Sequence, residues 1–176
     1  ASTVFDYKLD TFLKDGYGKK LYIADSDFKN FNKGIDDDFS TNEKKDIIAQ
    51  TLIIFALAKE HFHKLQSISK NLYHAPLLIT LANSVNTEEA DLKIFYKLLA
   101  EIAKGKFDFE KTKNNLVAKL ENKMGYLFGL GDMEQTLISE IKNLKKKDFF
   151  KAVFNAENQG NIEIVKSIIK QAVEKI

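Results

Sequence analysis

Residues 74–105 read HAPLLITLANSVNTEEADLKIFYKLLAEIAKG, and the reading of this stretch decides the fold. It opens near Pro76, the only proline of the chain. The apolar run Leu77, Leu78, Ile79, Thr80, Leu81 follows. A short, unbroken apolar run suits a strand covered on both faces, as in a parallel sheet. Proline fits the first position of such a strand, where a missing N–H costs least. Asn83-Ser84-Val85-Asn86-Thr87 is turn and cap chemistry apart from Val85. Asn86, with Glu89 three residues on, is the start signal of a helix. Leu92, Phe95, Tyr96, Leu99, Ile102 and Ala103 then recur at threes and fours, and Gly105 marks the stop. The expectation is strand, polar turn, helix: half of a parallel α/β unit.

Working outward, Ser40-Thr41-Asn42-Glu43 is a capping box, and its helix is expected to run to about Tyr73. Around residues 52–58 that helix is apolar on nearly every side, which predicts the buried core helix of the domain. At about 45 Å it invites a break near Ser67. Upstream, residues 4–13 fit helix or strand, Asp15-Gly16 is a turn, and Lys20–Ala24 reads as a short strand. Downstream, Asp108 caps a helix to about Lys123, and Asp132 with Gln135 starts another through Leu144. Lys145-Lys146-Lys147 reads as a linker to a short helix, residues 148–155. The segment 162–176 is read as mostly helix.

The fold class expected is mainly α with a few short β-strands, a helical domain carrying a partial parallel α/β unit. It is read as one domain over residues 1–176: a linker strand and long core helix (1–73), the strand–turn–helix unit (74–105) and a helical part (106–176). Helix would make up about 60% of the chain, well above the usual share.

Composition bounds the function. The chain has 176 residues, 44% of them hydrophobic and 30% charged, and it can bury a core without staples. It contains no cysteine, so disulfides and thiolate metal sites are excluded, which agrees with a cytoplasmic setting. No apolar span of membrane length and no signal-peptide pattern is present. A net charge of +2 gives no basic footprint over the whole domain, so phosphates could be met only by a local patch. The first residue is Ala1, as in a piece cut from a longer protein.

The wording of the central stretch goes further than its physics. PLLITLANSVNTEEADLKIFYKLLAEIAKG (residues 76–105) resembles a segment of the DEAD/DEAH-type superfamily 2 helicases that serve as Res subunits of type III restriction enzymes. There it matches the first strand and helix of the second RecA-like motor domain, the region called motif IV. FLKDGYGKKLYIA (residues 12–24) resembles the exit from the first motor domain, and FFKAVFNAENQGNIEIVK (residues 149–166) a stretch inside the second. The resemblance implies a fragment of an ATP-dependent DNA helicase that links the motor lobes and faces nucleic acid. ATP and Mg would be cofactors of the parent protein and not of this fragment. DNA, met through the parent, and the modification subunit of the restriction system are the implied partners. In the resembling region the loop Asn83, Ser84, Asn86 and Thr87 would touch nucleic-acid backbone or support the nucleotide cleft. A loop at the carboxyl end of a parallel strand, with a helix N-terminus behind it, suits that role.

The chain itself carries little catalytic chemistry. It has no Gly-Lys-Ser/Thr loop and no DEAH-like acidic box, so it lacks a helicase ATP site. Gly129-Leu130-Gly131-Asp132 lacks a lysine and reads as a turn between helices. His61 and His63 project to different sides of a helix and cannot share a metal, and His74 has no partner nearby in sequence. Asp108 with Glu121-Asn122-Lys123 mimics a nuclease pattern, but on a helix and not at strand ends. The acids between Asp25 and Asp38 lack calcium-loop spacing and read as a solvated loop. The best phosphate-contacting group is Lys142, Lys145, Lys146, Lys147 and Lys151. A second reading makes the chain a stand-alone helical interaction module that buries the helix 41–73 against a partner protein. A third, a small metal-dependent nuclease, would use the acids of residues 25–38.

Overall fold

The computed structural model describes residues 40–69, 74–79, 91–122 and 133–154, together with Thr11, Asp15, Ile23–Ala24, Leu127–Phe128 and Ser167. Five helices carry the described fold: α1 (Thr41–Ile68), α2 (Asp91–Ala103), α3 (Phe109–Asn122), α4 (Met133–Asn143) and α5 (Lys146–Phe154). Two short strands, β1 (Ile23–Ala24) and β2 (Leu127–Phe128), pair antiparallel, with Ile23 opposite Phe128 and Ala24 opposite Leu127.

Helix α1 begins where its cap chemistry says it should. Glu43 N–H donates to Ser40 Oγ, and Ser40 N–H donates to the Glu43 carboxylate at 2.9 Å, which completes the capping box. The helix ends at Ile68, five residues before the expected Tyr73, with Ser69 turning to extended backbone. Ala49, Leu52, Ile53, Ala56 and Leu57 are buried, a spacing of threes and fours that forms one stripe. All four other helices pack against α1, and α3 also packs along α4, so the core surrounds α1 as expected. Leu116, Leu120, Ile141, Phe109 and Phe149 close that core from the other side.

Helix α2 stops in a Schellman motif. Gly105 N–H donates to the Ile102 carbonyl at 3.0 Å and Lys106 N–H to the Glu101 carbonyl at 2.9 Å. Gly105 has φ +71°, the left-handed conformation that a residue with a Cβ resists. Helix α3 starts at Asp108, whose Oδ1 accepts from Lys111 N–H at 3.1 Å.

Three expectations are corrected. Among the described residues there is no parallel α/β unit: Leu77, Leu78 and Ile79 lie in neither helix nor strand, and the described sheet is the antiparallel pair β1–β2. The residues alternate instead. Leu78 packs against the helical core while Leu77 and Ile79 stand 79% and 73% exposed. A parallel strand must be covered on both faces, and here the helices cover one side of the segment only. Thr80–Leu81 and residues 83–90 lie outside the described residues, as do 155–166 and most of 1–39. The second correction concerns the lysine run. Lys146 and Lys147 form the first turn of α5, so only Leu144 and Lys145 link α4 to α5. Leu127–Phe128 likewise places a short strand just before Gly129, where none was expected.

Candidate nucleic-acid interface

The expected site residues fall into two groups. Asn83, Ser84, Asn86 and Thr87 lie outside the described residues. The acids of the loop 25–38 lie outside as well. The lysine group is described, and its members differ in what they do. Lys142 is held in an ion pair with Glu121, Nζ to Oε1 2.6 Å, at the surface between α4 and α3. Lys151 is exposed on α5. Lys145, Lys146 and Lys147 are exposed and form no ion pair among the described residues.

Those three lysines sit where electrostatics disfavours them. The Lys145 carbonyl accepts from the N–H groups of Asp148 and Phe149, each at 3.0 Å, so Lys145 is the cap residue just before α5. An ammonium cannot accept a bond from the free N–H groups of the first turn, and it faces the positive end of the helix dipole. The cost is about 0.3–1 kcal/mol for each exposed charge. Asp148 in the same turn offsets part of it.

Aromatic packing fixes what lies beside this run. The Phe149 ring, 1% exposed, stacks on Phe109 at 5.0 Å and on Phe107 at 6.0 Å between centroids. Phe107 belongs to the turn between α2 and α3, so this trio pins that turn against the start of α5. Lys104 and Lys106, both exposed, belong to the same turn.

Lysines also act inside the fold, and no local spacing announces them. Lys59 Nζ on α1 donates to the Ala152 carbonyl in the last turn of α5 at 2.7 Å, with the cation over the Phe55 ring. Lys113 Nζ lies 3.4 Å and 3.5 Å from the Lys142 and Leu144 carbonyls at the end of α4, pairs with Glu110 at 2.8 Å and covers Phe109. Each places a cation at the negative end of a helix. Gln50, buried on α1, donates to Asp46 at 2.7 Å and accepts from Lys119 at 2.9 Å, so its amide is satisfied at both ends. The partners are 69 residues apart for Gln50 and Lys119 and 93 for Lys59 and Ala152, beyond any sequence pattern.

Other chemistry is sparse. His61 Nε2 lies 2.8 Å from Glu140 Oε2 and joins α1 to α4, whereas His63 and His74 are exposed. Among the described residues no group of three His, Cys, Asp or Glu side chains could hold a metal ion. An open cleft of about 200 Å3 lies between α1, α2 and α3, and two of its charged groups have partners there, Lys45 with Glu101 at 2.7 Å and Asp46 with the Gln50 amide. No described helix is long and apolar enough to cross a membrane. The described residues thus form a helical bundle with Lys145, Lys146 and Lys147 exposed at the start of α5. No protein-family model matches the chain, and no curated protein or solved structure matches it either.

Proposed function

We propose that this chain is a helical, non-catalytic part of an ATP-driven DNA motor of the type III restriction kind, linking motor lobes and facing nucleic acid. One observation carries the reading: the resemblance of residues 76–105 to the motif IV region of that helicase family. The pattern at residues 76–79 supports it. Half-buried, exposed, half-buried, exposed is the period of an extended segment with one apolar face left open. Such a face suits a strand whose sheet is supplied by the rest of a motor domain. The exposed lysines at the start of α5 give a phosphate backbone something to meet. The absence of a Gly-Lys-Ser/Thr loop from the sequence puts ATP binding in another part of the parent protein.

Two measurements test the reading. The chain alone, assayed with and without DNA, is expected to hydrolyse no ATP, and turnover above background overturns the proposal. The genomic reading frame that encodes it is expected to carry a phosphate-binding loop, and a frame without one overturns it too.

A second reading, a helical protein–protein interaction module, is favoured by a different observation. Ile68 at the end of α1 is 81% exposed, and Leu77 and Ile79 follow in the next described segment. A tight homodimer or heterodimer that protects these three side chains in solution favours the module, whereas a monomer favours the motor part.

A further inference from the structure

The turn between α2 and α3 and the junction between α4 and α5 are 40 residues apart in sequence, yet Phe107, Phe109 and Phe149 stack them together. We infer that the lysines flanking this stack, Lys104 and Lys106 on one side and Lys145, Lys146 and Lys147 on the other, form one contact surface for the nucleic-acid sugar–phosphate backbone. The inference rests on the nucleic-acid-facing role proposed above and says where on the chain that contact lies.

Three features argue for it. All five side chains are exposed, and none forms an ion pair among the described residues. The carboxylates around them are taken by other lysines: Glu101 by Lys45, Glu110 by Lys113 and Glu121 by Lys142. Asp108 and Asp148 remain, so five lysines against two carboxylates leave the surface at +3, more than the +2 of the whole chain. A local excess of exposed lysines on a near-neutral chain has the electrostatic form of a backbone binder. Finally, the lysine run occupies the end of α5 that the helix dipole penalises, so helix stability does not account for its placement. Lysine ammoniums meet phosphates whatever the base, so the contact proposed is to the backbone and independent of sequence.

Binding of a fluorescein-labelled DNA duplex of random sequence to the full chain, followed by anisotropy over a salt series, tests this. In Lys106→Glu/Lys146→Glu the slope of log affinity on log salt flattens by about 0.9 for each lysine removed. Affinity at low salt falls by roughly tenfold or more as those contacts are lost. The same variant melts no lower than wild type, because Glu in the first turn of α5 suits its dipole. Lys64→Glu, on the outer face of α1, changes the net charge as much as Lys146→Glu alone but away from this surface, and retains wild-type binding. Equal weakening by both single variants, or by neither, overturns the lysine surface and leaves the nucleic-acid-facing role standing. Failure of the wild-type chain to bind DNA at low salt, or binding to heparin alone, overturns both.

Discussion

Lys59 is the side chain whose loss should tell most about how this bundle is held. Its Nζ donates to the Ala152 carbonyl at 2.7 Å, and this bond spans the contact between α1 and α5. Replacing it in Lys59→Met keeps the aliphatic stem that packs between the helices and removes only the charged donor. A hydrogen bond from a charged group contributes about 1.5–3 kcal/mol. The cation over Phe55 and at the end of α5 adds to it, whereas partial exposure of the side chain weakens both effects. A net loss of about 2 kcal/mol follows at the lower end of that range. Urea unfolding measures it. With a slope of about 2–3 kcal/mol per molar, the midpoint falls by roughly 0.7–1 M at unchanged slope. Lys64→Met is the control: its pair with Glu60 lies on the outer face of α1 at 3.0 Å, and its loss should leave the midpoint in place. If Lys59→Met and Lys64→Met give the same midpoint, the bond to α5 contributes nothing and the attachment of α5 rests on apolar packing alone.

Phe149→Ala removes the ring at the centre of the Phe107–Phe109 stack and should cost about 3–5 kcal/mol by chemical denaturation, enough to leave α5 undocked. Gly105→Ala meets no atom within 4 Å, so its cost is conformational alone: about 1–2 kcal/mol for a left-handed residue, with Gly105→Asn recovering part of it. Leu77→Ser/Ile79→Ser should leave the midpoint nearly unchanged because both side chains stand in water, whereas Leu78→Ala lowers it; the reverse order would show that the segment is already covered. The hydrogen bond and charge of Glu60 raise the Lys64 pKa above its ordinary value. The stabilisation from this pair is therefore complete below the unfolded-state pKa of 10.5 and is lost as pH rises through the higher folded value. NMR titration of the Lys64 side chain checks the direction.

The sequence announced the helices wherever two local signals agreed. Ser40 with Glu43 gave the start of α1, Asp108 the start of α3 and Gly105 the end of α2, because caps act within one turn of the residues that form them. The burial of α1 was legible too, since a helix apolar on nearly every side over residues 52–58 belongs at the core, although the structure buries one stripe of it. The run Leu77–Ile79 was not legible. A short apolar stretch is compatible with strand, buried helix or a segment that rides on other helices, and only the tertiary surroundings decide. The lysines divide in the same way: a linker run is visible as three consecutive letters, but its neighbours Lys104 and Lys106 are supplied by a ring stack across the fold.

That division bears on how a chain with a net charge of +2 can face a polyanion. Net charge counts Lys59, Lys113 and Lys119 with the rest, yet these three are committed to a helix end, a second helix end and a buried amide. Their charge is unavailable to a partner, and so is that of the carboxylates paired with Lys45, Lys113 and Lys142. Once the committed groups are set aside, the charge left to meet a ligand is distributed very differently from the sum. The internal lysines hold the ends of α4 and α5, and Phe149 holds the start of α5 against the α2–α3 turn. The exposed lysines are thus presented from backbone that the core fixes on both sides. On the proposal above, backbone that the core already fixes loses little freedom when phosphates arrive, so the ordering cost falls on the lysine side chains alone.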